Sequence, residues 1–295
     1  TPTDTPVPPT ATPTNTPVPP TATPTNTPVN GGPVVITDNT ATTAVNDGVI
    51  GVGEYVGFSQ GINDGFGNVI GYNSYLYVDS DGSGNLNLGL DLGGGALNDV
   101  VVIYIDSQSG GFSSTSGFTD VGDAHRAAIS GLGTGGGASV LTFASGFTAD
   151  YAIAFADTCC GGFAGLWQLQ NGGSHTFITA LTKGTSRINA ANIIELSGLT
   201  MANLGSTPGG SFKYVATLLN PGNAYRANEF HGVAASTVPG GNIGANPVTL
   251  ASGDYNVFNS FVPPTATPTD TPVPPTATPT DTPTPTPTAT PTDTP

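Results

Sequence analysis

The sequence predicts an all-β fold, a jelly-roll-like β-sandwich with extended polyproline II tails. Three observations predict it. Short apolar runs recur through the middle of the chain, Gly- and Ser-rich loops separate them, and Thr-Pro repeats occupy both ends. The chain therefore divides into a tail at residues 1–30, a domain at residues 31–261 and a second tail at residues 262–295.

The tails repeat the phrase Thr-Pro-Thr-(Asp/Asn)-Thr-Pro-Val-Pro-Pro-Thr-Ala. They hold 22 of the 27 prolines and 25 threonines within 64 residues, with no Lys, Arg, Gly, Cys or aromatic residue. Such a composition cannot build a core. Proline fixes φ near the polyproline II value and restrains the residue before it, so we expect stiff, extended spacers.

Thr-Pro alternation is also typical of O-glycosylated, mucin-like stalks, whereas a bare linker is the alternative. No Asn-x-Ser/Thr sequon occurs, so any glycan is expected to be O-linked. The predicted glycosylation sites are Thr1, Thr3, Thr5, Thr10, Thr12, Thr14, Thr16, Thr21, Thr23, Thr25, Thr27, Thr265, Thr267, Thr269, Thr271, Thr276, Thr278, Thr280 and Thr282.

The domain begins with a predicted strand at Pro33–Thr37. Gly71–Val78 and Asn85–Leu92 are predicted to form a hairpin, because the second run alternates strictly and places its four leucines on one face. Asp99–Asp106 is continuously apolar, which suits a central strand buried on both faces. Further predicted strands are Val140–Phe143, Asp150–Phe155, Gly165–Gln170, His175–Leu181, Phe212–Leu218 and Tyr255–Phe261. One helical signal covers Ala190–Leu204, but Gly198 interrupts it, so at most one or two short turns are expected there.

Charge excludes two classes of partner. Five basic residues stand against 20 acidic ones, so the chain lacks the basic surface that nucleic acid or an anionic membrane requires. No apolar run approaches 18 residues, and no membrane insertion of this segment is expected. The chain starts in mid-repeat without Met or signal peptide, so we expect a piece of a longer secreted polypeptide, extracellular or at the cell surface.

A turn in the predicted hairpin resembles the first half of an EF-hand calcium loop. Asp79, Asp81 and Ser83 occupy alternate positions, Gly84 the sixth and Asn85 the seventh, and hard oxygens so spaced can wrap one Ca²⁺. The twelfth position is a leucine, so the bidentate Glu is missing. The alternative is a solvated β-turn, which uses the same residue types. No other cofactor is expected.

The remaining signals for chemistry are sparse. Cys159 and Cys160 are adjacent, which leaves free thiols, a vicinal disulfide or an intermolecular bond open. The match of Gly131–Gly136 to G-x-G-x-x-G lacks a strand-to-helix context, and no nucleophile elbow or carboxylate pair indicates catalysis. We therefore expect no enzyme. Trp167, the single tryptophan, is the candidate ligand residue as a sugar platform, with a core position as the alternative.

Several short motifs resemble CBM9-like/DOMON-like domains of bacterial surface proteins. They are Asn46-Asp47-Gly48-Val49-Ile50, Gly53-Glu54-Tyr55, Tyr75–Val78, Val101–Asp106 with Gly110-Gly111, and Ile194-Glu195-Leu196 with Leu204-Gly205. Together they span most of residues 45–260, although a proline of the late element is missing here. The resemblance implies a β-sandwich, and carbohydrate or haem ligands in some members. Haem ligation there uses Met and His, and Met201 falls in an expected loop.

These features together favour an extracellular structural protein, the repeating subunit of a glycosylated surface fibre or filament. Its expected partners are copies of itself and covalent O-glycans. The alternative is a carbohydrate-binding or adhesion module carried on stiff O-glycosylated linkers, which the resemblance and the Pro/Thr linkers also suggest.

Overall fold

The computed structural model describes residues 32–40, 44–186 and 192–261. By compactness the chain divides into Thr1–Pro263 and Pro264–Pro295, and the second unit lies wholly outside the described residues. The predicted polyproline II tails and all the predicted glycosylation sites also lie outside them. Among the described helices, none has the length and apolar character to cross a membrane.

The described residues form an all-β fold with one short α-helix, α1, at Ala124–Ser130, which confirms the predicted class. The strands are β1 (Val35–Thr37), β2 (Gly57–Gln60), β3 (Tyr75–Ser80), β4 (Asn85–Asp91), β5 (Val100–Asp106), β6 (Leu141–Thr142), β7 (Tyr151–Phe155), β8 (Ala164–Gln168), β9 (Thr176–Ala180), β10 (Thr182–Ser186), β11 (Ile193–Thr200), β12 (Ser211–Asn220), β13 (Tyr225–His231), β14 (Val248–Thr249) and β15 (Asn256–Asn259).

The strands form two large sheets. One has eight strands in the order β1-β15-β12-β5-β7-β8-β9, with β13 also paired to β12. The other has five strands in the order β10-β11-β4-β3-β2, and β14 pairs with β6 in a small third sheet. Most neighbours are antiparallel, but β1 runs parallel to β15, with Val35 opposite Val257. This pair joins the two ends of the described chain.

Strand β5, in the middle of the eight-stranded sheet, is buried on both faces. Val101, Ile103 and Ile105 belong to a core cluster that also contains side chains of the five-stranded sheet. Val102 and Tyr104, which alternate with them, belong to a second cluster with residues of α1. The predicted central, two-sided strand is therefore confirmed.

The predicted hairpin is also confirmed. Strands β3 and β4 pair antiparallel, with Tyr75 opposite Asp91, and the alternating leucines of β4 are buried in the first cluster. Asp81 accepts hydrogen bonds from the backbone nitrogens of Ser83 and Asn85 at 2.9 and 2.7 Å. These bonds close the turn between the two strands.

Within Ala190–Leu204, where at most one or two short helical turns are expected, the described residues form a single turn after a strand that was not predicted. Ile193–Thr200 is strand β11, paired with β4, and only Ala202–Leu204 forms one 3-10 turn. Gly198 has a φ of 89° where the β4–β11 register shifts, so it accommodates an irregularity of a strand. Pairing with a buried neighbour outweighed the local helical propensity.

Helix α1 and strands β2, β10, β13 and β14 were not predicted. The caps of α1 are nevertheless local signals, because Asp123 accepts from the backbone nitrogen of Arg126 and Gly131 takes the left-handed conformation after the last turn. The helix has only seven residues, too few for a recognisable apolar period.

Candidate functional site

A surface cleft of about 270 Å³ lies where α1, the start of β8 and strand β9 meet. Its lining combines aromatic and charged side chains from three separate segments. They are Asp123, Arg126, Phe163, Trp167, His175 and Phe177.

Three aromatic rings form the apolar part of the cleft. The Trp167 ring centroid lies 5.6 Å from that of Phe177 and 6.0 Å from that of Phe163. Trp167 is only 3% exposed, whereas Phe163 is 38% and Phe177 51% exposed. The tryptophan thus forms the buried base, and the two phenylalanines offer ring surface to solvent.

Gly165 allows these rings to converge. A Cβ atom at this position would lie 2.8 Å from Phe163, 2.9 Å from Trp167 and 3.1 Å from Phe177. The first two distances are shorter than real Cβ atoms show, so the rings of Phe163 and Trp167 would have to shift. Phe163, in extended conformation directly before β8, alternates with Gly165 and Trp167 of that strand, so the three share a face. This alternation is the signal in the sequence that could have located the site.

An ion pair forms the polar rim. The Arg126 Nε donates to the Asp123 carboxylate at 2.7 Å, and the guanidinium also lies 3.5 Å from Asp120. The hydrogen bond to Asp123 raises the pKa of Arg126 above its ordinary value. Arg126 and Asp123 therefore form an ion pair, and the guanidinium stays charged beside the aromatic rings.

Two neutral histidines support the rings. Burial lowers the pKa of His175 to about 4, and its Nδ1 accepts from the Gln170 backbone nitrogen at 3.1 Å. Its Nε2 therefore carries the proton toward Ser130 Oγ at 3.0 Å. His125 stacks on Trp167 with an interplanar angle of 16°, and burial lowers its pKa as well.

The loop before Phe163 contains the two cysteines. The structure joins Cys159 and Cys160 in a vicinal disulfide, one of the three possibilities left open above. Cys160 and the two glycines after it all have φ between 61° and 79°, and the Phe163 carbonyl then accepts from the Ala156 backbone nitrogen at 3.1 Å. His125 Nε2 lies 3.1 Å from the same carbonyl. The loop is thereby closed directly before the ring that lines the cleft.

The predicted calcium ligands divide between two environments. Asp79 is fully buried; its Oδ2 accepts from the Ala44 backbone nitrogen at 3.0 Å, and its Oδ1 has no partner among the described residues. Burial raises the pKa of Asp79 to about 7. Burial also acts to raise the pKa of Asp81, but hydrogen bonds from Asn85 and Ser83 outweigh it and hold that pKa below its usual value.

Within residues 32–40, 44–186 and 192–261, no group of three or more His, Cys, Asp or Glu side chains could hold a metal ion. The structure gives Ser83 and Asn85 a role in the turn through Asp81. Calcium at this turn stays a prediction.

Three of the motifs that resemble CBM9-like/DOMON-like domains, at residues 46–50, 53–55 and 194–196, meet around one carboxylate. Glu195 accepts hydrogen bonds from the Gly48 backbone nitrogen and from the Tyr55 hydroxyl, the latter at 2.8 Å. Glu54 accepts from the backbone nitrogens of Val45 and Gly51. These carboxylates fasten the segment at residues 44–55 over the five-stranded sheet, so the motifs have a structural role here.

The other motifs also have structural roles. In the Gly131–Gly136 loop, the Gly135 nitrogen donates to the Gly222 carbonyl between β12 and β13. His231 is fully buried between Ser59 and Ser74. Sequence reasoning singled out Trp167 as a ligand residue but missed Phe163 and Phe177, which line the same cleft. No family model matches the chain, and no curated protein matches it.

Proposed function

We propose that the chain is the structural subunit of an extracellular filament. In this proposal the two large sheets pack as a β-sandwich, and O-glycosylated Thr/Pro tails connect one such domain to the next. The observation that carries it is the parallel pairing of β1 with β15. Because the two strands run in the same direction, the described chain enters the domain at one end of the pair and leaves it at the other.

The strand pair is well suited to bear tension along the chain. The Val257 nitrogen donates to the Val34 carbonyl at 2.9 Å, and the Asp38 nitrogen donates to the Asn259 carbonyl at 2.9 Å. The Asn256 side chain accepts from the Val34 nitrogen as well. A pull on both ends loads these bonds together, in shear, rather than opening them one after another.

Two further observations support an extracellular filament. The disulfide between Cys159 and Cys160 is the kind of bond that persists in oxidising compartments. The same Thr-Pro phrase stands on both sides of the domain, as a linear array of identical beads and rods requires. Stiff spacers of about 3.1 Å per residue would hold the beads apart.

Two measurements on purified native material test this proposal. Intact mass is expected to exceed the polypeptide mass in sugar increments located on tail peptides, and to return to the polypeptide mass after chemical deglycosylation. Electron microscopy is expected to show filaments with a regular bead repeat. Bare polypeptide mass would remove the glycan from the proposal, and isolated monomers at high concentration would contradict the filament.

The second candidate function is a carbohydrate-binding or adhesion module on the same stalks. The aromatic cleft favours it, because exposed rings beside charged hydrogen-bonding groups are typical of sugar sites. Binding on a glycan array that is lost with Phe177→Ala and Trp167→Ala would support it. Binding that survives both substitutions, or no binding to any glycan, would count against it.

We also propose that the turn between β3 and β4 binds one calcium ion. The unpartnered Oδ1 of Asp79 and the exposed turn around Asp81 supply hard oxygen atoms. Calorimetric titration of the chelator-treated protein with Ca²⁺ is expected to give a saturable heat that Asp81→Ala removes. The absence of both a heat of binding and a shift in the melting temperature would contradict calcium binding at this turn.

A further inference from the structure

The aromatic cleft offers apolar surface to a ligand of low charge. Phe163 and Phe177 are exposed, with ring centroids 6.2 Å apart, over the buried Trp167. Arg126, the one cation among the described residues that line the cleft, is already paired with Asp123. An exposed apolar patch with a polar rim marks a binding site, and this one suits an uncharged, rigid ligand with apolar rings.

The chain itself contains a segment of this chemistry. Each full tail phrase includes the run Pro-Val-Pro-Pro, found at residues 6–9, 17–20 and 272–275. The run is uncharged, and it is the longest stretch of the phrase without threonine, so it stays bare even when every threonine carries sugar. Aromatic-lined grooves bind P-x-x-P segments because the polyproline II conformation is already formed and little entropy is lost.

We propose that the cleft binds a Pro-Val-Pro-Pro run from the tail of a neighbouring copy of this chain. The inference rests on the proposed filament and names the contact between its subunits. The first and fourth residues of the run share a face of a polyproline II helix, which has three residues per turn. Their rings pack on Phe163 and Phe177, and Arg126 donates to a carbonyl oxygen of the peptide.

The sheet order explains why the run comes from a second copy. The described chain ends at β1 and β15, at one edge of the eight-stranded sheet, whereas the cleft lies at β8 and β9 on the opposite edge. Six strand spacings separate β1 from β9, a width of about 29 Å. A segment with the stiffness that the sequence predicts does not double back across this width, but it reaches a neighbour readily.

The test uses the full chain, produced without glycosylation, with the prolines of all three runs changed to Ala so that the cleft is free. A synthetic peptide of residues 1–22 is the probe, and Trp167, the single tryptophan, is the fluorescent reporter. We expect a saturable change in Trp167 emission and a matching calorimetric heat. The same peptide with alanines in its two runs is expected to give neither.

Two variants locate the binding. Phe177→Ala is expected to weaken the peptide at least tenfold, and because this side chain is exposed the variant should fold. Tyr225→Ala, an exposed aromatic outside the cleft lining, is the matched control and should leave affinity unchanged. No saturable signal, equal binding of the alanine peptide, or undiminished binding by Phe177→Ala would each overturn the inference. Binding of neutral oligosaccharides but not of the peptide would also overturn it, in favour of the second candidate function.

Imaging separates this inference from the filament proposal. Filaments of the unsubstituted chain that persist unchanged with Phe177→Ala would refute the cleft contact and leave the filament standing. If the cleft bound the peptide but native material contained no filaments, the cleft contact would stand and the filament proposal would be refuted. Loss of filaments with Phe177→Ala, but not with Tyr225→Ala, is the expected result.

Discussion

The first core cluster, which contains side chains of both large sheets, differs in chemistry from the regions where loops cover strands. The first cluster, which draws on both sheets, is built from aliphatic and aromatic side chains such as Leu88, Ile103 and Ile153. Buried titratable side chains lie instead beneath loops. They include Asp79, Asp120, His175, Glu195 and Glu229.

Hydrogen bonding explains the difference. Strands pair their backbone amides with each other, so a layer covered by strands needs no polar side chains. Loop amides need other acceptors, and here buried side chains supply them: Glu229 accepts from the backbone nitrogens of Phe66 and Ile70 at 2.7 and 2.8 Å, and His175 accepts from that of Gln170. The loop that covers a strand thus determines whether the side chains beneath it are polar. The aromatic cleft also lies on the face that loops cover.

The largest expected effect comes from the layer between the sheets. Ile153→Ala is expected to lower the free energy of unfolding by about 2–5 kcal/mol, because Ile153 is fully buried in β7 and leaves a cavity. Trp167 emission in the folded state should not change, since Ile153 belongs to the other cluster. Urea unfolding measures the change in the free energy of unfolding. The exposed Val35→Ala is the control, and it should change that free energy by no more than about 0.5 kcal/mol. A loss of unfolding free energy as small as that of Val35→Ala would show that Ile153 is not tightly packed.

Titration of His175 tests the loop-covered side. Because burial lowers its pKa to about 4 from 6.5, its contribution to stability is complete above pH 6.5 and declines as the pH falls toward 4. Relative to His175→Gln, the unsubstituted protein should lose up to about 1.4 kcal/mol per pH unit in this window. Unfolding at several pH values measures the difference. Burial lowers the pKa of His231 in the same way, but His231 is present in both proteins, so its effect cancels. If the stability of the two proteins changed in parallel with pH, burial of His175 would not have the expected effect.

Asp79 should give the opposite slope. Burial raises its pKa from 3.8 to about 7, so its favourable contribution is complete below pH 3.8 and declines as the pH rises through 7. Asp79→Asn keeps an oxygen for the Ala44 nitrogen and removes the titration. The stability of the unsubstituted protein relative to this variant should therefore fall between pH 4 and 7. A difference that grows with pH would show that a cation or donor compensates the charge.

Gly165→Ala tests whether the arrangement of the three rings in the cleft depends on a residue without a side chain. The added methyl group meets three rings at 2.8–3.1 Å, so we expect a loss of about 1–3 kcal/mol and a shifted Trp167 emission. Gly173→Ala is the matched control, because its Cβ would meet nothing within 4 Å. Equal effects of the two substitutions would mean that the rings do not depend on Gly165.

The smallest effect is expected at the cleft rim. Asp123→Ala removes the N-cap of α1 and should lower stability by about 1 kcal/mol, whereas Arg126→Ala removes only a partly exposed ion pair, worth under about 0.5 kcal/mol. Thermal unfolding of both variants measures the order. A larger loss with Arg126→Ala would indicate that the ion pair, and not the cap, holds the helix.

Prediction from the sequence succeeded where the signal was local. The β3–β4 hairpin follows from alternating leucines and a turn with Asp81, and β5 follows from an unbroken apolar run. It failed where a partner strand decided the conformation, as in Ile193–Thr200, which pairs with β4 across about a hundred residues of chain. Of the cleft, only Trp167 was singled out as a ligand residue, because most of the lining comes from segments that are separate in the sequence.

By itself, the sequence determined the all-β class, the boundary between Thr/Pro tails and domain, and the closely spaced turn residues, because periodicity and proline geometry act between near neighbours in the chain. Only the tertiary structure decided that Trp167 forms the base of a cleft between two exposed phenylalanines. It also decided that β1 lies parallel to β15, with Val35 opposite Val257. Both depend on backbone pairing and packing between distant segments, which a local pattern does not encode.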